Sequence, residues 1–270
     1  MIYIIIVSHG HDEYIEKLLA NLDVNCSAYK VIVRDNKNSC SLKELVYSKS
    51  GVHYISGGQY GFGHNNNLAA KYVIGNFNVS PDDFFLFLNP DIIIQHQDLI
   101  NFLNYVIQKK YRFATICLYR DFNKINHDYS VRNFPKFRDF FLSYAFGVNR
   151  TKLIKEEINN DLMVDWCAGS FMLIGVNEFV NVNGFDQKYF MYCEDIDLCY
   201  RLDLSGVRLH YVPGFSAIHY AHHDNRSFLS KAFRWHLKST LRYLIRRGVL
   251  NINNYSAVES ELTDCKVKSC

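Results

Sequence analysis

The stretch Ile2-Tyr3-Ile4-Ile5-Ile6-Val7 is a nearly continuous run of β-branched residues with no charged partner alternating between them. A strand with one wet face alternates. A run like this one needs burial on both faces, which a sheet covered by helices on each side provides. The next residues keep to that plan. Residues 12–22 carry Tyr14, Ile15, Leu18, Leu19 and Leu22 at helical spacing, and 29–34 read as a second strand that stops at Asp35-Asn36. A short helix over 42–47 and a third strand over 52–56 follow. A glycine-rich turn, Gly57 to Gly63, then feeds a helix from about 64 to 74, and 84–88 is the fourth strand. Strands alternating with helices predict an α/β fold: a Rossmann-like, mostly parallel twisted sheet flanked by helices.

Past a helix over 98–108 the pattern loosens. Residues 113–118 and 170–174 read as strands, while 121–161 is irregular and reads as a loop-bearing insertion. A helix over 196–204 closes on Gly206, where a C-terminal cap belongs, and 207–212 return to strand.

At 270 residues, 49% apolar and 21% charged, the chain is one large domain with room for an appended segment. A net charge of +3 is too small to imply a nucleic-acid partner. That charge is concentrated. Seven Lys/Arg and no Asp/Glu fall between Arg226 and Arg247, which leaves 23 basic against 27 acidic residues elsewhere. Within this segment Leu229, Phe233, Leu237, Leu241 and Leu244 share one helical face, and Lys231, Arg234, Lys238, Arg242 and Arg246 share the other. Either the apolar stripe packs on the domain and the basic stripe is solvated, or the basic face meets anionic headgroups with Phe228, Phe233 and Trp235 as anchors. No apolar run approaches the roughly 20 residues of a membrane span, so membrane contact is expected to be peripheral. Eight cysteines without a C-x-x-C pair read as free thiols of a reducing compartment.

Chemistry-bearing residues gather where strands end, the edge at which open α/β sheets bind ligands. Asn89-Pro90-Asp91 closes the fourth strand. Pro90 ends the pairing and leaves Asp91 at the edge, suited to Mg²⁺ or Mn²⁺ with diphosphate oxygens, although Asn-Pro-Asp is also good turn chemistry. Asp35-Asn36 suits a nucleobase or ribose contact, or a local turn. Gly61-Phe62-Gly63 with Asn66-Asn67 resembles an approach to a ligand at a helix N-terminus, or plain capping. It is neither a P-loop nor a dinucleotide fingerprint. Glu194-Asp195-Ile196-Asp197 puts three acids in four residues behind Tyr189-Phe190-Met191-Tyr192. Helix starts favour carboxylates, but three exceed what capping needs, and aromatic walls raise an acid's pKa toward a useful value for a general base. Of His219, His222 and His223, one can complete a metal site with Asp91, or the pair at 222–223 can be exposed and inert.

Together with Ile4-Ile5-Ile6-Val7-Ser8-His9, Asp165-Trp166-Cys167-Ala168-Gly169-Ser170 and Asn183-Gly184-Phe185-Asp186, these strings resemble the inverting family-two glycosyltransferases of GT-A fold. Within that family they are similar to the rhamnosyltransferases of bacterial O-antigen and lipopolysaccharide synthesis, from the first strand to about Tyr243. The resemblance implies transfer of L-rhamnose from dTDP-L-rhamnose onto GlcNAc-diphospho-undecaprenol, at the cytoplasmic face of the inner membrane, with Mg²⁺ or Mn²⁺. It implies Asp195 as general base with Glu194 beside it. Ser8, Asp35, Gly61, Asn67, Asn89 and Asp91 fall on the donor side, Trp166, Gly169 and Asp197 on the acceptor side, and Asp91 with His219 at the metal. Two departures stand out: the first acid of the family's D-x-D is Asn89, and its Thr-Tyr-Asn after the first strand reads Ser8-His9-Gly10. The expected organisation is a catalytic domain over 1–225, split near 118 into nucleotide and acceptor halves, a basic amphipathic helix over 226–250 and a polar tail over 251–270.

Three other readings compete. One is a family-two transferase with a galactofuranose or hexose donor, and another is a non-catalytic sugar-binding protein. The third is a nucleotidyltransferase, which needs a basic residue near the glycine-rich turn, and none occurs between Lys49 and Lys71.

Overall fold

The isoleucine run is an interior strand with each face against a different core. Ile2, Ile4 and Ile6 point into a layer with Ile15, Leu42 and Phe102, while Tyr3 and Ile5 point into one with Val73, Phe179 and Tyr243. The structure is a computed structural model and describes residues 1–220 and 231–252. In chain order its elements are β1 (Ile2–Ser8), α1 (Asp12–Asn21), β2 (Tyr29–Asp35), α2 (Cys40–Tyr47), β3 (Val52–Ser56), α3 (Phe62–Asn76), β4 (Phe84–Leu88), β5 (Ile92–Ile93), α4 (His96–Lys109) and β6 (Phe113–Tyr119). Then come β7 (Val131–Arg132), α5 (Phe137–Phe146), β8 (Leu162–Val164), β9 (Trp166–Cys167), β10 (Phe171–Gly175), α6 (Val176–Asn181), α7 (Glu194–Leu204), β11 (Leu209–His219) and α8 (Lys231–Ile252).

Among the described residues the main sheet has the order β3-β2-β1-β4-β10-β6-β11-β5, with β8 beside β11. The first four strands are parallel, as their connecting helices require. β10 then enters antiparallel between β4 and β6, and β11 runs parallel to β6. This arrangement decides where the site lies. The carboxyl ends of β1, β2, β4, β6 and β11 and the amino end of β10 all meet at one edge.

Several elements differ from expectation. β11 runs on to His219 because a register shift between Val212 and Ser216 absorbs Pro213-Gly214 without ending the strand. The irregular stretch 121–161 contains α5, which has no fully buried residue and packs mainly on α8. α8 keeps part of its expected faces, with Phe233 and Leu244 packed and Arg234 and Lys238 exposed, but is rotated from expectation. Leu237 and Leu241, expected to pack or to hide, are exposed, while Arg242 and Arg246 point inward to Asp186. Charge decides this orientation, because the domain offers α8 the carboxylates of Asp186 and Asp197 as well as apolar surface. Arg226, Phe228, Leu229, the histidines 222 and 223, and the tail from 253 lie outside the described residues. No described helix is long and apolar enough to cross a membrane, and the six described cysteines are free.

Candidate active site

Where β4 ends, the Asn89 N–H donates to the Ser170 carbonyl at 2.9 Å, which ties the Asn-Pro-Asp turn to the start of β10. The Asp91 carbonyl accepts from the Tyr220 N–H at 3.0 Å, which ties the same turn to the end of β11. His219 therefore stands beside Asp91, with Nε2 3.5 Å from Oδ1. Its Nδ1 lies 2.5 Å from Asp128 Oδ2. Burial works against a charge on this ring, but the bond to Asp128 and the ion-pair contact with Asp91 outweigh it, and the imidazole is pushed up to about 9. Burial likewise opposes ionisation of Asp128, yet the bond from His219 holds it below the usual carboxylate range. Among the described residues no three His, Cys, Asp or Glu side chains form a ready cation cage. Two protein ligands nonetheless suit a small divalent ion whose other positions go to diphosphate and water. The buried Asp91 Oδ1, which has no hydrogen-bond partner, fits that use.

The acid cluster is positioned by strained backbone. Tyr192 and Cys193 both adopt left-handed conformations, with φ of 70° and 62°. Such residues cost about 1–3 kcal/mol each and persist only where their surroundings hold them. They bring Glu194 and Asp195 into the first turn of α7. Asp195 Oδ1 accepts from the Ile196 N–H at 2.9 Å, and Oδ2 accepts from the Gly169 N–H at 3.4 Å. Gly169 precedes Ser170, so a two-residue turn links Asp195 to the Asn89–Asp91 turn. A side chain at Gly169 would meet the Phe62 ring at 2.7 Å, and one at Gly61 would meet the Phe190 carbonyl at 2.1 Å, so both close approaches need glycine. Burial raises the Asp195 and Glu194 carboxyls above the ordinary range, and for Glu194 the neighbouring Asp195 charge adds to it. Asp91 Oδ1, Ser170 Oγ and Glu194 Oε2 are all buried without a hydrogen-bond partner. Ten described side-chain atoms are buried in this way, and these three belong to the turns that meet Asp195 and His219, where a polar ligand can supply their partners.

Ser8, Asp35, Asn89, Asp91, Gly169, Asp195 and His219 are thus brought to one edge. Ser8 accepts from the His11 N–H at 3.2 Å. Asp35 is wholly buried and accepts from the Lys37 and Ser39 N–H groups and the Tyr54 hydroxyl, so it shapes the turn after β2. Trp166 Nε1–H donates to the Asn133 carbonyl at 2.9 Å, and Arg132 lies 5.7 Å from its ring.

Two of the candidate ligand residues have their polar atoms engaged within the protein. Asn67 is buried and exchanges both its amide bonds with the Phe185 backbone at 2.7 and 3.0 Å, so it clamps the 183–186 turn. Asp197 is buried in an ion cluster with Arg201 at 2.7 Å and Arg246 at 3.0 Å, and its oxygens are spent there. Asp128 is the residue that sequence reasoning passed over. Asp128 lies in the aperiodic stretch, where only contact with β11 gives it meaning. A cleft lined by Met1, Asp83, Phe84, Ile100, Lys110 and Arg112 opens elsewhere, and none of these candidates lines it.

The chain belongs to the family described as glycosyltransferase like family 2, whose model matches residues 1–237, and it is a glycosyltransferase of GT-A fold. Among individual proteins it is 61% identical over 260 residues to the rhamnosyltransferase WbbL of Escherichia coli K12, covering 96% of this chain and 98% of that one. It is 38% identical over 84 residues to the N-acetylglucosaminyl-diphospho-decaprenol L-rhamnosyltransferase of Mycobacterium tuberculosis, which spans 31% of this chain and 27% of that one. It is also 26% identical to the low-salt glycan biosynthesis hexosyltransferase Agl10 of Haloferax volcanii, over 92% of this chain and 76% of that one. The same fold is seen in GalNAc-T7 with UDP, GalNAc and Mn²⁺, at a TM-score of 0.62 and 12% identity, over 91% of this chain and 47% of that one. It is seen again in S. aureus TarS with UDP-GlcNAc, at 0.59 and 12%, over 98% of this chain and 69% of that one. The chain spans about half the length of GalNAc-T7.

Proposed function

We propose that this enzyme moves L-rhamnose from dTDP-L-rhamnose onto GlcNAc-diphospho-undecaprenol during O-antigen synthesis, with inversion, so that a β-linked donor yields an α-1,3-rhamnoside. The observation that carries this reading is the convergence of Asp91 and His219 with Asp195 and Glu194 through the Gly169-Ser170 turn, with buried oxygens of Asp91, Ser170 and Glu194 that make no hydrogen bond. The choice of sugar and lipid is supported by full-length similarity to a rhamnosyltransferase and by the mycobacterial relative's name.

In this reading Asp91 and His219 would hold Mg²⁺ or Mn²⁺, the ion taking the place of the proton that the carboxylates otherwise keep on His219 Nε2. When bound, such an ion supplies positive charge against the departing diphosphate. Asp195, with Glu194 beside it, accepts the proton of the acceptor hydroxyl. That oxygen bonds to the anomeric carbon from the face opposite the nucleoside diphosphate, whose bond to carbon breaks. Asp128 keeps His219 oriented by accepting its Nδ1–H. Ser8, Asp35, Gly61 and Asn89 shape the donor side within residues 1–118. Trp166 and Gly169 shape the acceptor side within 119–225. The polyprenyl tail places the reaction at the cytoplasmic face of the inner membrane, with the enzyme held there peripherally.

Purified enzyme given radiolabelled dTDP-L-rhamnose and synthetic GlcNAc-diphospho-polyprenol is expected to produce a labelled lipid with an α-anomeric signal. The similarity to a hexosyltransferase makes a donor panel the decisive control. Equal or greater transfer from a nucleotide hexose or galactofuranose would replace rhamnose as the substrate.

A further inference from the structure

The outer faces of α5 and α8 form one surface. Their order along each other is fixed by contacts: Arg247 donates to the Pro135 carbonyl at 2.7 Å, Phe140 lies 6.1 Å from Tyr243, and Tyr144 bonds Thr240 at 3.0 Å and lies 5.8 Å from Phe233. Rising numbers on one helix meet falling numbers on the other, so the pair is antiparallel. The opposite flank of α8 is committed to the domain. Ser239 donates to the Met191 carbonyl, Arg242 and Arg246 pair with Asp186, and Trp235 packs on Phe190.

Each residue turns a helix by about 100°. Leu237, Leu241 and Ile245 thus sit one step round from His236, Thr240 and Leu244, clear of both contacts. On α5, Phe141 sits one step round from Phe140 in the same sense, with Phe137 one turn before it. In an antiparallel pair, equal rotations from the seam lead to the same side, so both apolar stripes share one outward face. They are open to solvent: Phe137 is 72% exposed, Phe141 55%, Leu237 50%, Leu241 60% and Ile245 59%. Scattered single apolar residues need no explanation, but a contiguous two-helix face does.

Charge selects the occupant. Arg234 and Lys238 flank the face on α8 and Arg138 on α5, all exposed. α8 contains no Asp or Glu, and the one acid of α5, Asp139, is half-buried and accepts from the Lys136 N–H. A second copy docked by two-fold symmetry would oppose these cations to themselves. An anionic bilayer meets both needs, since its acyl boundary takes the rings and leucines and its phosphates take the cations.

We infer that α5 and α8 together form an interfacial platform that seats the enzyme on an anionic lipid surface through Phe137, Phe141, Leu237, Leu241 and Ile245, with Arg138, Arg234 and Lys238 at the headgroups. It rests on the lipid-linked acceptor proposed above only for the reason the enzyme meets a bilayer. The platform is clamped to Asp186, Met191 and Asp197, the stretch that leads into Asp195 and ends beside it, so the seated helices are tied directly to the segment that bears the proposed base.

The test is co-sedimentation of the full chain with phosphatidylcholine vesicles with or without phosphatidylglycerol. The wild type is expected to bind the anionic vesicles, and less so as salt rises. Phe141→Ser with Leu241→Ser is expected to weaken binding about tenfold or more, and Arg234→Gln or Lys238→Gln about fivefold each. Transfer to a short, water-soluble acceptor by the same variants stays at the wild-type level, which shows that they fold. A wild type that stays in the supernatant, or variants that sediment like it, would overturn the platform. So would a wild-type dimer in light scattering that Phe141→Ser converts to monomer, since the face would then belong to a second copy. Normal sedimentation without any transfer to the soluble acceptor upholds the platform and removes the rhamnosyl reading instead.

Discussion

At Asp195 two effects oppose each other. Removal from water raises its pKa, while the N–H groups of Ile196 and Gly169 pull it back, and the first is the larger. The result is an acid that holds its proton longer than an ordinary aspartate and, once ionised, is a better acceptor. As general base it must be ionised, so the transfer rate should climb with pH through the range above the ordinary carboxylate value and then level off. Asp195→Asn keeps the shape and one of the two backbone N–H bonds but removes the base. It should remain folded by circular dichroism and lose about a hundredfold or more in kcat. Retention of most of the activity would move the base to Glu194, which is more deeply buried and has one oxygen without a hydrogen bond.

The helices carry energetic consequences that single side chains do not. α7 begins from two left-handed residues and is held by the Asp197 cluster with Arg201 and Arg246, one cation from its own next turn and one from α8. Asp197→Asn would leave the Arg201 guanidinium without its counter-charge in a buried site and Arg246 with Asp186 alone. Breaking one side of such a pair costs about 3–5 kcal/mol. Urea unfolding of that variant should show a loss of this size, and the KM for donor and acceptor should change little in the folded fraction. A small stability change with a large rise in acceptor KM would instead return Asp197 to the acceptor site. α5 shows why the stretch 121–161 reads as irregular. Its sequence, Phe-Arg-Asp-Phe-Phe-Leu-Ser-Tyr-Ala-Phe, is aromatic nearly all round, and the face that packs is set only once α8 lies against it.

For the whole molecule, the sheet topology gathers groups far apart in sequence: Asp91 after β4, Asp128 after β6, Gly169 before β10, and His219 ending β11. If Asp91 and His219 hold a divalent ion, chelator-treated enzyme should regain activity with Mn²⁺ or Mg²⁺. Asp128→Asn should then weaken Mn²⁺ binding about tenfold or more by electron paramagnetic resonance, because an outer carboxylate orients the histidine. Unchanged Mn²⁺ affinity would leave Asp128 as a purely structural partner of His219.

Much of this was legible in the chain. Periodicity located every strand of the parallel half and the helices between them, because a strand buried on both faces has to be continuously apolar. Asp91, Asp195 and His219 were legible because they end or begin such elements. Other features depended on contacts that no local pattern encodes. The antiparallel entry of β10 is one, since alternation along a strand carries no direction. The sides of α8 are another: hydrophobic spacing put Arg242 and Arg246 outward, and the carboxylates of Asp186 and Asp197, brought near only by folding, turned them in. Asn67 and Asp197 look like ligand contacts as letters, yet Phe185 and Arg246, distant in sequence, and Arg201, one turn on, engage their polar atoms. The chain by itself determined which segments are strands and helices and which edge bears the acids, since burial and backbone bonding act locally. Only the tertiary structure decided which polar atoms remain unpaired there and which helix faces meet solvent, since both depend on what packs across the gap.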